Sequence, residues 1–333
     1  VRIRAALVAV LGGLALGLTG CPDKKSTKDD VSPTPNGSKL KGGAAADAGD
    51  VSVPPTRYDA GSRMIAIGDV HGDLSAALRA LRLAGAIDGD AKWSGGDLVV
   101  VQTGDLLDRG DDEPELLALF ERLESEAAKA GGRFLWLNGN HEVMNVAGDF
   151  RYVSPNGIDD YGDKAGRRKA FVPGGDVAKI LAGQPVVALV GDSLFAHGGI
   201  LPRHVNHGLM GLQAINRVNT LWMLGRSSAG KAPAALDNID SPIWTRYFSF
   251  GQLPEDRCQQ LNKVLKLVGA KRLIVGHTVQ DKGITSSCDG KVWRVDVGMS
   301  AYYGGPIQVL EIRGDSVKIL GKQGGTRPAS GAR

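Results

Sequence analysis

The chain lacks an excess of charge of either sign. Forty Lys and Arg face 36 Asp and Glu, a net charge of +4 at pH 7. A balance so near neutral gives no reason to expect nucleic acid or a polyanionic surface as a partner. The G-x-x-x-x-G-K-[ST] loop and the G-x-G-x-x-G fingerprint are both missing, which argues against nucleotide-driven chemistry. No internal repeat is present. The apolar run near the start, residues 5–17, is too short and too rich in glycine for a membrane span. Cysteine is limited to three residues, Cys21, Cys258 and Cys288. Hydrophobic residues, at 42%, are in ordinary supply and suffice for the core of one large domain or two small ones.

What is present begins with a targeting segment. Arg2 and Arg4 precede the apolar run, and Leu18-Thr19-Gly20-Cys21 follows it. A basic start, a short apolar core and a small-residue site make a secretory signal. The ending resembles the lipobox of bacterial lipoproteins, in which the Cys becomes the lipidated first residue. That resemblance implies export to the bacterial cell envelope and a lipid anchor on Cys21; a plain signal peptide or a signal anchor with an incidental Cys is the alternative. Cys258 and Cys288 are then left for an oxidising compartment, either bridged or as two buried thiols. Residues 22–61 are poor in aromatics and rich in Lys, Asp, Ser, Pro, Gly and Ala. Such a composition does not offset the entropy of chain ordering, and a flexible tether is expected. With signal 1–21, tether 22–61 and a disordered tail 323–333, the folded domain is expected over 62–322.

From residue 63 the texture changes. Met64–Ile67 is a short apolar run ending at Gly68-Asp69, and Leu74–Leu83 has Leu74, Ala77, Leu78 and Leu81 at helical spacing. Residues 98–102 form a second apolar run ending at Gly104-Asp105. Residues 114–130 predict a helix, with acids early and Lys129 late, as the helix dipole prefers. Residues 133–137 form a third run, ending at Asn138-Gly139-Asn140-His141. This β-α-β-α-β pattern argues for an α/β fold with neighbouring parallel strands. The mostly polar stretch 149–175 reads as a cap with short helices. Strands are expected at 186–190, 193–196, 273–275, 292–297, 307–312 and 317–320, and helices at 209–224 and 254–268. Two of these strands end at His197 and at Gly276-His277.

Five apolar strands thus lead through glycine or a small turn straight into Asp, Asn or His. Sites in α/β sheets gather at the carboxyl ends of strands, and glycine permits the sharp turn. Gly68-Asp69-Val70-His71-Gly72 puts a carboxylate and an imidazole on one side of an extended chain. Gly104-Asp105-Leu106-Leu107-Asp108-Arg109-Gly110 adds two acids and a guanidinium. Gly139-Asn140-His141-Glu142 adds an amide oxygen and an imidazole. Singly, each motif is weak: a Gly-Asp pair is usually a turn, and a lone His after a strand is more often structural.

Their combination and order resemble the signature set of the calcineurin-like metallophosphoesterases, over about residues 64–320. Asp108-Arg109-Gly110 and Glu142 point to the phosphoprotein phosphatase branch. Residues 137–145, 241–247 and Asp296-Val297-Gly298-Met299-Ser300 are similar to the Shewanella-like protein phosphatases. The resemblance implies a four-layer sandwich: two packed mixed β-sheets flanked by helices. It implies two divalent metal ions, manganese first, with iron or zinc as alternatives, and mixed N/O ligands suit all three. Asp69, His71 and Asp105 are expected on one metal, and Asp105, Asn140, His197 and His277 on the other. A water activated by both would attack phosphorus in line. Arg109 and Arg246 would grip the phosphoryl oxygens. His141 would protonate the leaving group, oriented by Asp108.

The Ser-Ala-Pro-Asn-Tyr element of eukaryotic Ser/Thr phosphatases is absent. The resemblance therefore leaves phosphotyrosine and phosphoserine or phosphothreonine proteins equally open as substrates. A small-molecule phosphatase or a diadenosine-polyphosphate hydrolase is the alternative within enzymes. An inactive binding module on a surface lipoprotein is the alternative outside them.

Overall fold

The computed structural model describes residues 51–227 and 230–321. The expected signal 1–21 with Cys21, residues 22–50 of the tether and the tail 323–333 lie outside the described residues. In chain order the elements are β1 (Arg57–Tyr58), β2 (Met64–Ile67), α1 (Leu74–Leu83), β3 (Val99–Gln102), α2 (Glu113–Lys129), β4 (Arg133–Trp136), α3 (Asn140–Val146), α4 (Pro155–Asp159), α5 (Lys164–Phe171) and α6 (Asp176–Ala182). They continue with β5 (Val187–Val190), β6 (Ser193–Ala196), a 3₁₀ turn (Pro202–Val205), α7 (Leu209–Met223), α8 (Glu255–Val268), β7 (Arg272–Val275), β8 (Thr285–Ser287), β9 (Val292–Arg294), β10 (Val309–Arg313) and β11 (Ser316–Leu320).

Two mixed sheets result, flanked by helices. One runs β11-β10-β2-β3-β4 and the other β1-β5-β6-β7-β9-β8. β2, β3 and β4 are mutually parallel, and all four residues of β2 and of β3 are buried. Strands covered on both faces read as continuous apolar runs, which is why Met-Ile-Ala-Ile and Val-Val-Val form them. Residues of both sheets and of the helices belong to one continuous apolar core. Within it Phe120 of α2 meets the rings of Phe134 and Trp136 of β4 edge-on, at 4.8 and 5.8 Å between centroids.

Register sets up the site. Ile67 pairs with Gln102 and Gln102 with Trp136, so Asp69, Asp105 and Asn140 leave three adjacent strands at one level. In the other sheet Ala196 pairs with Val275, so His197 and His277 also emerge side by side. Gly276 N–H donates to His197 O at 2.8 Å and holds the two exits together.

The segment expected as tether overlaps the folded domain. Residues 51–61 belong to the folded domain: β1 pairs in parallel with β5, and Leu189 N–H and Gly191 N–H donate to Thr56 O and Tyr58 O at 2.7 and 2.9 Å. Tyr58 is buried, with the Arg133 guanidinium 5.4 Å from its ring. A two-residue strand has no periodicity to read; it exists because an edge of the second sheet offers unpaired groups. The strand expected over 292–297 stops at Arg294, and the chain beyond bends into the site. Helices α3 and α6 were also absent from the sequence reading.

Cys258, on α8, is joined to Cys288, in the turn between β8 and β9, with Cα atoms 5.4 Å apart. The bridge closes a loop of 30 residues. Loop-closure entropy gives it about 3.5 kcal/mol of stability. The Cys258→Ala/Cys288→Ala double variant should lose about that much in urea denaturation. A loss below about 1 kcal/mol would show that the packing of Leu261, Val264, Leu265 and Val268 alone holds α8.

Candidate active site

The site is assembled from tight turns rather than extended chain. His71, Asp105, Asp108, Arg109 and His277 all have positive φ, between 44 and 72°. Only Ala91, Cys288 and Asp289 share that conformation among the other described non-glycine residues. Left-handed backbone costs about 1–3 kcal/mol per residue and persists where the surroundings over-determine it. Asp69 and His71 therefore converge through a turn, not by lying two apart on a strand. Val70 and His71 N–H both donate to Asp105 O, at 3.2 and 3.0 Å, and lock that turn onto its neighbour.

Asp105 sits at the centre. Its carboxylate lies with His71 and His141 in one donor cluster and with His197 and His277 in another, all of them buried. His197 Nε2 is 3.2 Å from Asp105 Oδ2, 3.0 Å from Asn140 Oδ1 and 3.1 Å from His277 Nδ1. Atoms sharing one cation at about 2.1 Å stand about 3–3.4 Å apart, so this spacing is that of a ligand shell. His71 and His197 each donate Nδ1–H to a backbone carbonyl, Leu107 O at 3.0 Å and Thr103 O at 2.9 Å. That fixes the tautomer and leaves both Nε2 lone pairs facing inward. Asp69 accepts from His277 N–H at 3.0 Å.

Two glycines allow the approach. A Cβ at Gly139 would collide with Asp105 Oδ1, and one at Gly276 with Asp69 Oδ1. Behind Asp105, the Glu142 carboxylate accepts from the N–H of Asp105, Leu106, Leu107 and Gly139, at 3.0, 2.9, 3.1 and 2.6 Å. Glu142 does this because Asn140 opens helix α3, so the side chain three residues into the helix reaches back to its start.

The imidazoles differ electrostatically. Burial and the neighbouring His141 push His71 down to about 3. Burial and His197 hold His277 well below the ordinary histidine value. Both are thus neutral and able to ligate. Burial also opposes protonation of His141, but Asp105 and Asp108 outweigh it and its pKa is raised. His141 Nδ1 contacts Asp108 Oδ2 at 2.5 Å, and its Nε2 faces Asp105 Oδ2 at 3.7 Å. Asp69 is raised well above the carboxylate range by burial and then by Asp296 and Asp105.

Arg109 is half-buried. Its guanidinium lies 4.7, 4.8 and 5.2 Å from the rings of Tyr152, Tyr302 and Tyr303, and its buried Nε has no hydrogen-bond partner. Arg246 is exposed, yet its charge is felt at His277, against whose ring Trp244 packs at 5.7 Å. The structure adds residues that the sequence reading did not assign. Asp296 is buried, hydrogen-bonded to Asp69 and pushed up to about 6 by burial. In the sequence it lies inside the strand expected over 292–297, with no glycine before it to mark a strand end. Asn145 Nδ2 donates to Asp108 Oδ1 at 2.8 Å, and only tertiary structure reveals it.

Residues 62–281 match the family described as calcineurin-like phosphoesterase. The chain belongs to the calcineurin-like phosphoesterase family. Shewanella-like protein phosphatase 2 of Arabidopsis thaliana is 38% identical over 311 residues, covering 80% of this chain and 79% of that protein. Shewanella-like protein phosphatase 1 of Plasmodium berghei is 32% identical over 273 residues, covering 78% and 74%. Among solved structures, the cold-active protein-tyrosine phosphatase of a psychrophilic Shewanella sp. superposes with a TM-score of 0.67 at 25% identity, covering 80% of this chain and 83% of that one.

Calcineurin-like phosphoesterases imply divalent metal ions, and the donors here fit them. They are nitrogen and oxygen without thiolate, and the buried carboxyls of Asp69 and Asp296 are pushed above the ordinary carboxylate range by burial and by neighbouring acids, a crowding that divalent cations would relieve. Asp105 belongs to both clusters, whereas His71 belongs to one. Asp105→Asn should therefore lose both equivalents of Mn²⁺, and His71→Ala mainly one, by plasma mass spectrometry after dialysis. Equal stoichiometry in the two variants would show that Asp105 is not shared.

Proposed function

We propose that this phosphoesterase hydrolyses phosphomonoesters as a protein phosphatase, on phosphotyrosine or phosphoserine and phosphothreonine, with manganese as its working metal. The names of its relatives support the class: two are protein phosphatases, and the Shewanella structure is a protein-tyrosine phosphatase. The observation that carries the reading is the different anchoring of two adjacent imidazoles. His71 and His141 stand 4.8 Å apart edge-on; His71 Nδ1 meets the Leu107 carbonyl, whereas His141 Nδ1 is engaged by the Asp108 carboxylate. A carboxylate on Nδ1 favours the protonated ring, so the two anchors separate a ligand from an acid.

In this reading Asp69, His71 and Asp105 hold one ion, and Asp105, Asn140, His197 and His277 the other. Bound there, the pair would supply Lewis acidity toward the phosphoryl oxygens and a water acidic enough to attack at neutral pH. Arg109 orients the phosphoryl group. Its positive charge rests on three tyrosine rings rather than on a carboxylate, which leaves its N–H groups for the substrate. Arg246 approaches from the His277 side. His141 holds a proton on Nε2 and delivers it to the leaving oxygen, while Asp108 engages Nδ1 and fixes the ring.

The test is turnover of p-nitrophenyl phosphate, then of phosphotyrosine and phosphoserine peptides, by the full chain with Mn²⁺ or with chelator. On the phosphoserine peptide, whose alkoxide leaving group needs a proton, His141→Ala should lower kcat by about 10²–10⁴-fold while metal content survives. Full activity in that variant would remove His141 from the chemistry. No phosphomonoester turnover with any metal would turn the reading toward dinucleotide substrates or a binding protein.

We also propose that Cys21 carries a lipid anchor that places this phosphatase on a membrane of the cell envelope. The support is the Leu18-Thr19-Gly20-Cys21 ending. Cys21→Ala should move the protein from the membrane fraction to the soluble one. An unchanged distribution would contradict the anchor.

A further inference from the structure

The polar segment 149–175 sends one side chain deep into the domain. Arg167 of α5 is fully buried, and burying a guanidinium away from water costs several kcal/mol unless its donors are met. All five are met. Nε donates to Asn145 Oδ1 at 3.1 Å, and Nη2 donates to the same oxygen at 2.7 Å and to Glu113 Oε1 at 3.2 Å. Nη1 donates to Glu113 Oε2 at 2.7 Å and to Gly157 O at 2.6 Å. The rings of Phe171, Tyr161 and Phe150 surround the cation at 4.5, 5.3 and 5.5 Å.

Both partners lead to Asp108. Arginine can only donate, so it dictates that Asn145 presents its oxygen to it. The Asn145 amide nitrogen must then point the other way, and it donates to Asp108 Oδ1 at 2.8 Å and to His141 O at 2.9 Å. Glu113 Oε1 accepts from Asp108 N–H at 2.7 Å. Asp108, in left-handed backbone at φ 70°, is thus gripped at its amide and at one carboxylate oxygen. Only Oδ2 is left for His141 Nδ1.

We propose that Arg167 is a positioning residue for the proton donor, acting through Asn145 and Glu113 on Asp108 and through Asp108 on His141. This rests on the reading of His141 as the acid that protonates the leaving oxygen. As the P–O bond breaks, its electron pair goes to that oxygen, which takes the Nε2 proton. A misaligned His141 then matters most where the leaving oxygen is strongly basic. A residue that merely staples α5 to the domain would affect all substrates alike.

The experiment compares p-nitrophenyl phosphate, whose leaving group departs readily without a proton, with phenyl phosphate, whose leaving group is far more basic. The full chain loaded with Mn²⁺ is used, as wild type, Arg167→Met and Asn145→Ala. Asn145→Ala keeps the Arg167–Glu113 pair and decides the matter if Arg167→Met does not fold. kcat/KM should fall about 10–100-fold further for phenyl phosphate than for p-nitrophenyl phosphate, mainly through kcat, with metal content unchanged. Equal losses for both esters, or no loss, would overturn the proposal. Wild type inactive toward both esters would instead sink the phosphomonoesterase reading beneath it.

Discussion

Asp69, Asp105, Glu142 and Asp296 lie buried within one small volume, and carboxylates packed together out of water repel one another. Everything else at the site answers that repulsion. Glu142 is offset by four backbone N–H groups. Asp105 is drawn well below the carboxylate range by His197 and His141, against the effect of its own burial. Asp69 and Asp296 share a hydrogen bond, which two fully ionised carboxyls cannot make. A divalent cation is the remaining way to balance such a group, and the inward Nε2 atoms of His71 and His197 complete the coordination.

The fold supplies the means of gathering these groups. Two sheets each end adjacent parallel strands at one level, so five chain segments deliver polar residues to one place without long side-chain reach. The turns that follow store strain in left-handed backbone at Asp105, Asp108, Arg109, His71 and His277. Such strain is tolerated because the surroundings over-determine it: Glu142 accepts from the N–H groups of Asp105, Leu106 and Leu107, and Glu113 accepts from Asp108 N–H. Residues of the segment 149–175 add a further contact: α5 is anchored through Arg167 to Glu113, and the same contact reaches Asp108, which holds His141.

Much of this was legible in the sequence, and the reasons for the rest are physical. Strands buried on both faces announce themselves as apolar runs, and a glycine beside Asp, Asn or His marks where they stop. Hence Asp69, Asp105, Asn140, His197 and His277 were found, and the structure brings them together. Residues 56–58 look like tether in the sequence because a two-residue strand leaves no pattern; only its partner β5 defines it. Asp69-Val70-His71 looks like extended chain because positive φ at a non-glycine residue has no sequence signature. Arg167 carries no mark of its place because a buried arginine looks, in sequence, like any other on a basic helix.

Three tyrosine rings surround Arg109. Tyr302 is 61% exposed, yet its ring lies against the guanidinium, so an aromatic surface borders Arg109. One carboxylate, Asp105, stands in both donor clusters, and two ions held there would share it. Anomalous diffraction from crystals grown with Mn²⁺ measures it directly. The account predicts two manganese peaks, both bonded to Asp105, one beside His71 and the other beside His197. A single peak, or a second one not bonded to Asp105, would contradict it.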